Sequence, residues 1–315
     1  MAIFYDINNL PAFKNPVITI GTFDGVHLGH HVILQQVVAH AKEVKGESVL
    51  LTFEPHPRKL LFPDQPLKLI TPLQQKLELI TSAGIDHVIV VPFTRDFANL
   101  SAEEYILDFL VKKFCPNSII IGYDHQFGHD RRGNIKLLEA HADDCNYRVY
   151  EISAQLIDEA AVSSTKIRHA LQDGHVKEAA HMLGRPYSIK GKVVKGAQLG
   201  RTIGYPTANI QPSDPEQLVP ANGVYAIRAE YDGKNYDGML NIGVRPTVSK
   251  ELTLHIEANL FDFAGDLYDH DLEIYFIDRL RNEEKFPSID ALKEQLGKDK
   301  VAAQKGLTYI EILSN

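Results

Sequence analysis

A chain of 315 residues with 44% hydrophobic content has room for a large core, and its length favours two domains over one. A formal net charge of -8 argues against a surface built for nucleic acid or anionic lipid, so any phosphate site has to be a local pocket. Two cysteines, Cys115 and Cys145, are too few for a disulfide scaffold and lack metal-type spacing. With no basic-then-apolar leader and no apolar run of membrane-spanning length, they point to a cytoplasmic protein with two buried, inert thiols.

In chain order, apolar runs at residues 17–20, 49–53, 87–91, 118–121 and 147–152 alternate with segments of helical spacing. This alternation predicts an α/β domain with a parallel sheet and helices on both faces. Ile33, Val37, Ala41 and Val44 mark the apolar stripe of the first helix, and Ser101 with Glu104 makes a capping box before Tyr105, Ile106 and Phe109. After a helical pair at 164–171 and 176–183 the pattern changes at Gly184-Arg185-Pro186 to short alternating segments. Strands at 187–194, 223–231, 236–242, 252–260 and 271–277 suit a small antiparallel barrel, followed by a terminal helix capped by Ser288 and stopped at Gly297. The predicted domains are 1–183 and 184–315.

The string GTFDGVHLGH at 21–30 joins the first apolar run to the first helix, so it reads as strand, glycine-rich turn and helix start. Free backbone N–H groups and the positive end of the helix dipole make such a place a phosphate site. His27 and His30 are three apart and can face one ligand. By residue type alone they are a capping or packing pair, half of a zinc site, or phosphate donors. No G-x-x-x-x-G-K-[ST] occurs, so the cradle is not a P-loop. A second cluster, Ser163, Ser164, Thr165, Lys166 and Arg168, opens another helix, either as an N-cap with a solvated first turn or as a grip on a triphosphate tail.

The two clusters resemble the H-x-G-H and S-S-T-x-x-R motifs of the nucleotidyltransferase superfamily. With TFEPHP at 52–57 and GYDHQFG at 122–128, the chain resembles more narrowly the bifunctional bacterial FAD synthetases, which join FMN adenylylation to riboflavin kinase. The resemblance implies a Rossmann-like first domain in which Gly21, Phe23, Asp24, Gly29 and the Ser163 to Arg168 cluster bind ATP. His27 and His30 would hold the triphosphate and the transition state, and Asp124 and Phe127 would lie near the flavin, with His125 where the family commonly has an aromatic residue. The attacking phosphate of FMN is already anionic, so this step needs charge neutralised by imidazoles, Lys166, Arg168 and Mg²⁺ rather than a strong base.

In the second half GRTIGYPTAN at 200–209 resembles the riboflavin kinase signature, with Tyr205 where phenylalanine is usual. Thr207 and Asn209 are hard oxygen donors two residues apart, and the resemblance gives them the metal and ATP roles. Without it, Pro-Thr-Ala-Asn is a polar turn. The attacking group here is a neutral hydroxyl, which calls for a carboxylate base. Glu257 stands where the family places that base, although alternation alone makes it a solvent-facing strand residue beside His255. Arg281, in RLRNEEKF at 279–286, is the candidate at the flavin end, and NIGVRPT at 241–247 looks like the family's mobile loop but by itself says only turn. The implied substrates are riboflavin, FMN and ATP, with Mg²⁺ serving both steps and no nucleic-acid or membrane partner. A transferase with another acceptor, or a module that merely carries flavin, would be the rival readings.

Overall fold

A computed structural model describes residues 2–153, 162–196, 200, 203–246 and 252–314. The chain forms two compact units, Met1–Ser164 and Thr165–Asn315.

The first unit is built on a six-stranded parallel sheet in the order β1-β4-β3-β2-β5-β6. The strands are β1 (Ala2–Phe4), β2 (Val17–Ile20), β3 (Ser48–Glu54), β4 (His87–Pro92), β5 (Ser118–Gly122) and β6 (Arg148–Ile152). Alternate residues of the central strands feed two cores. Ile18, Ile20, Val49, Leu51, Ile119 and Ile121 line one face, and Val17, Leu50, Val88, Val90 and Ile120 line the other with Leu34, Val37 and Ala41 of helix Leu28–Glu43. A strand covered on both faces reads as a continuous apolar run, which is why these strands were visible in sequence. From β2 the chain passes to β3 on one side, and β5 lies on the other, so the order reverses between β2 and β5. Ligands of such sheets gather at the carboxyl ends of the strands flanking that reversal. Gly21 follows β2 and the Gly122 to Gly133 loop follows β5, so both border this crevice.

The Ser101 and Glu104 capping box is present in both directions, at 3.1 and 2.8 Å. The helix it opens continues as a π-helical stretch, Tyr105–Val111, and ends at Cys115 in the left-handed region. Cys115 is exposed and Cys145 half-buried, both as free thiols, so the expectation of two buried cysteines is corrected.

The second unit takes in helix Ser164–Gln172 from Thr165 onward and helix Val176–Leu183, and closes into an antiparallel barrel, β10-β11-β8-β7-β12-β9. Its strands are β7 (Tyr187–Val194), β8 (Ala208–Pro212), β9 (Gly223–Tyr231), β10 (Lys234–Pro246), β11 (Leu252–Leu260) and β12 (Asp271–Arg281). The helical pair is tied to the barrel by Lys177 to Asp278 at 2.7 Å and by Arg279 donating to the Asp173 carbonyl at 3.2 Å. β8 was not expected, because its polar, proline-flanked sequence becomes a strand only through pairing with β7 and β11. Residues 241–246 are strand rather than turn, paired from Asn241 against Glu257 to Pro246 against Leu252, and Thr247 lies outside the described residues.

The terminal helix Ile289–Ser314 does start at Ser288, whose hydroxyl accepts from the Ala291 N–H at 3.2 Å. It does not stop at Gly297. A mid-helix glycine costs about 1 kcal/mol. Beyond Gly297, Ala303 and Leu307 are buried against Ala226, Met239, Phe261 and Ile277 of the barrel wall, which outweighs that cost.

Candidate active sites

In the first unit the turn after β2 is bent by three left-handed residues, Phe23 (φ 48°), Gly25 (φ 91°) and Val26 (φ 40°). The Phe23 ring folds back over Gly21, where a Cβ would lie 3.0 Å from its edge, so any larger residue would push the ring aside by a few tenths of an ångström. His27 caps the following helix, its Nδ1 accepting the His30 N–H at 3.3 Å. With Nδ1 as acceptor the neutral ring carries its proton on Nε2. The His27 and His30 rings stack with centroids 3.6 Å apart and 14° between planes, and Phe23 packs on His30 at 4.9 Å. The two imidazoles therefore share one side of the helix start, as their spacing suggested.

Asp24 sits differently from its sequence expectation of phosphate binding. Its buried carboxylate accepts from the Ile70 and Thr71 N–H groups at 3.3 and 3.0 Å, so it braces the turn, and its negative charge suits no direct phosphate contact. Its carbonyl accepts from Ser164 Oγ at 2.9 Å, which ties the start of the second motif to the first. Ser163 precedes that helix, and Thr165, Lys166 and Arg168 lie on its first two turns, in the second compact unit. Gly29 is buried in the first turn of helix Leu28–Glu43.

On the loop after β5, Asp124 is exposed, whereas Phe127 is buried and stacks on Tyr105 at 4.9 Å. Phe127 is a core residue that anchors the loop. Burial pushes the His125 imidazole down to about 4, with the nearby Asp124 carboxylate opposing. The unfolded chain then binds more protons than the folded one between about pH 4 and 6.5, so this group's contribution is complete above pH 6.5 and is lost as pH falls. A His125→Asn variant is expected to unfold in urea with less loss of stability between pH 7 and 4.5 than the parent, by up to about 3 kcal/mol.

In the barrel Thr207, Asn209, Glu257 and Arg281 line a single cavity of about 270 Å³, with Asn241, Asn259, Tyr205, Glu283 and Phe286. The ladder sets this: Glu257 pairs with Asn209 on β8 and with Asn241 on β10. Ile256 and Ala258 are buried, so Glu257 and Asn259 share the opposite strand face, and here that face opens on the cavity. Asn259, which sequence reasoning missed, donates from Nδ2 to the Pro206 carbonyl at 2.7 Å and holds the Pro-Thr-Ala-Asn segment in place. Arg201 and Thr202 of that motif lie outside the described residues.

Arg281 is committed within the unit. Its guanidinium forks onto the buried Asp299 at 3.0 and 2.7 Å, lies over the Phe286 ring at 5.5 Å and donates to the Asn282 carbonyl. Gln295 Nε2 also donates to Asp299 at 2.9 Å. The fork fixes the terminal helix, which contributes Leu292 and Leu296, at the cavity rim.

Among the described residues no group of three or more His, Cys, Asp or Glu side chains could hold a metal ion. No helix among them is long and apolar enough to cross a membrane.

The family model described as FAD synthetase matches residues 10–166, and that described as riboflavin kinase matches 183–307. The bifunctional riboflavin kinase/FMN adenylyltransferase of Buchnera aphidicola subsp. Acyrthosiphon pisum is 36% identical, with 100% of both chains covered. The protein of the same description from Escherichia coli K12 is 37% identical over 93% of each chain. A solved structure described as a macrolide-efflux protein from Streptococcus pneumoniae superposes with a TM-score of 0.88 at 31% identity, covering 96% of this chain and 98% of that one. The chain therefore belongs to the bifunctional riboflavin kinase/FMN adenylyltransferase family, whose two ATP-dependent reactions convert riboflavin to FMN and FMN to FAD with release of pyrophosphate.

Proposed function

We infer that the two reactions use two sites, adenylylation at the His27 and His30 turn of a domain spanning 1–183, and riboflavin phosphorylation in the barrel cavity of a domain spanning 184–315. The observation that carries this division is the convergence of Thr207, Asn209, Glu257 and Arg281 on one cavity, while the stacked histidines belong to the other unit.

For adenylylation, Gly21, Gly29 and the backbone of the Phe23–Asp24 turn shape the phosphate cradle. His27 and His30 donate to the triphosphate as charge moves toward pyrophosphate, and Ser163, Ser164, Thr165, Lys166 and Arg168 keep the phosphate role their motif implies. Asp24 does its part by fixing the turn. Asp124 faces solvent at the crevice, where it can meet the flavin, and Phe127 holds that loop from beneath.

For the kinase step, Glu257 accepts the proton of the riboflavin hydroxyl as it attacks the γ-phosphorus of ATP. Thr207 Oγ1 and the Asn209 side-chain oxygen are neutral hard donors beside a carboxylate, a set that fits Mg²⁺ shared with ATP phosphates. Bound there, Mg²⁺ would neutralise phosphate charge. Arg281, held by Asp299, presents a fixed edge at the flavin end. The partners are these small molecules rather than nucleic acid, and the cysteine usage fits a cytoplasmic enzyme.

The direct test is incubation of the purified chain with riboflavin, ATP and Mg²⁺, with chromatographic separation of FMN from FAD. Both products should appear, FMN first. A yellow protein that consumes no ATP would mean a flavin carrier instead.

A further inference from the structure

Lys76 is buried, at 5% exposure, although it carries an ammonium, and it lies against the turn that carries the two histidines. It projects from helix Leu73–Ser82, and its Nζ donates to the Thr22 carbonyl at 3.2 Å and to Thr52 Oγ1 at 3.0 Å. Thr52, fully buried on β3, donates its hydroxyl to the same Thr22 carbonyl at 3.2 Å. One ammonium thus joins the turn after β2 to the carboxyl end of β3, through the Thr22 carbonyl and the Thr52 hydroxyl, immediately before the left-handed Phe23.

Two residues further on, the Asp24 carboxylate takes the N–H groups of Ile70 and Thr71, from the segment just before the same helix. Phe23 at φ 48° and Val26 at φ 40° sit in a region that side-chain-bearing residues avoid, Val26 most of all because it is β-branched. Backbone of that kind persists only where its surroundings over-determine it, and here the bonds at Thr22 and Asp24 grip both sides of Phe23. The ring of Phe23 in turn packs on His30.

We propose that Lys76 is a positioning residue for adenylyl transfer, locking the Thr22 to Val26 turn so that its backbone and the stacked imidazoles of His27 and His30 are aimed at the phosphates of ATP. Burial lowers the pKa of the ammonium, with the Asp24 and Glu54 carboxylates opposing that drop. While it stays protonated, Lys76 also places a water-shielded positive charge behind a cradle for polyanions, where charge is felt more strongly than at the surface. This inference rests on the reading that the His27 and His30 turn is the adenylyltransferase site.

The test uses the full chain and follows FAD formation from supplied FMN and ATP alongside FMN formation from riboflavin. Lys76→Met is expected to lower kcat for FAD formation by roughly 10²-fold while leaving KM for ATP within about threefold of the parent and FMN formation unchanged, since misplacement by about 1 Å affects the transition state more than binding. A folded variant with unchanged kcat, or with a raised KM alone, overturns the proposal. Should Lys76→Met fail to fold, Thr52 decides. Thr52→Val keeps the ammonium but breaks the shared bond and should lower kcat by about tenfold, and Thr52→Ser should restore it. Equal activity of these two variants overturns the proposal as well. His30→Ala is run beside them: if it too retains FAD formation, the site reading has failed rather than the role given to Lys76.

Discussion

His30→Ala is expected to reduce FAD formation by about 10²- to 10³-fold, the usual effect of removing one preorganised donor from a transition state, while FMN formation from riboflavin proceeds as in the parent. The choice of His30 over His27 follows from the helix start. The His27 ring accepts the backbone N–H of His30, so deleting it removes an N-cap worth about 1 kcal/mol together with any catalytic donor. Deleting the His30 ring leaves that backbone bond in place while it removes the ring that stacks on His27 and Phe23. Helix Leu28–Glu43 should therefore remain capped, and loss of FAD synthesis can be read as lost chemistry. The two products separate on one chromatogram, so each variant supplies its own control. Equal loss of both activities in a variant with unchanged thermal unfolding would remove the division of labour between the two units.

Much of this architecture was legible because the strands of the parallel sheet are apolar on both faces, as in Val17 to Ile20, and because the barrel strands alternate, as in Leu252 to Leu260. What escaped were elements defined by distant partners. β1 is three residues long and exists as an edge partner of β4, and β8 is a strand only because β7 and β11 flank it. Gly297 carried a stop signal that packing of the residues after it overrode.

The motifs mark positions along the chain and not the contacts made there. The motif points Asp24 toward the phosphate cradle, yet its carboxylate turns to Ile70 and Thr71, some 46 residues away, a pairing no local pattern encodes. Lys76 sits in an ordinary amphipathic run between Leu73 and Leu77, and nothing in that spacing reveals that its ammonium is buried beside Thr22. Arg281 gave no sign of its fork onto Asp299, 18 residues later. By contrast, Asn209 and Glu257, which the resemblance assigns separately to the kinase site, are directly paired across the β11 and β8 ladder.

Glu257→Gln is expected to lower riboflavin kinase turnover by about 10²-fold or more, with KM for riboflavin little changed. Alternation along β11 argued for a solvent-facing side chain, and the buried Ile256 and Ala258 do place Glu257 on the side away from the barrel interior. That side is not open surface here. The terminal helix brings Leu292 and Leu296 over it, and the Arg281 to Asp299 fork pins the helix down, so the strand's outer face becomes the wall of a cavity shared with Thr207 and Asn209. A carboxylate in that position can take a hydroxyl proton while the neutral oxygens beside it face phosphate. Glutamine has the same length and can keep any hydrogen bond that positions substrate, but it cannot accept the proton, so the loss should fall on kcat. Its backbone pairing with Asn209 and Asn241 is untouched by the change, and FAD formation from supplied FMN should match the parent. Glu257→Ala should show at least as large a fall in kcat, with an added rise in KM if the side chain also orients riboflavin. Turnover unchanged in the Gln variant would take Glu257 out of the mechanism and leave Glu283 and Glu284 as the carboxylates of the cavity wall that could take the proton.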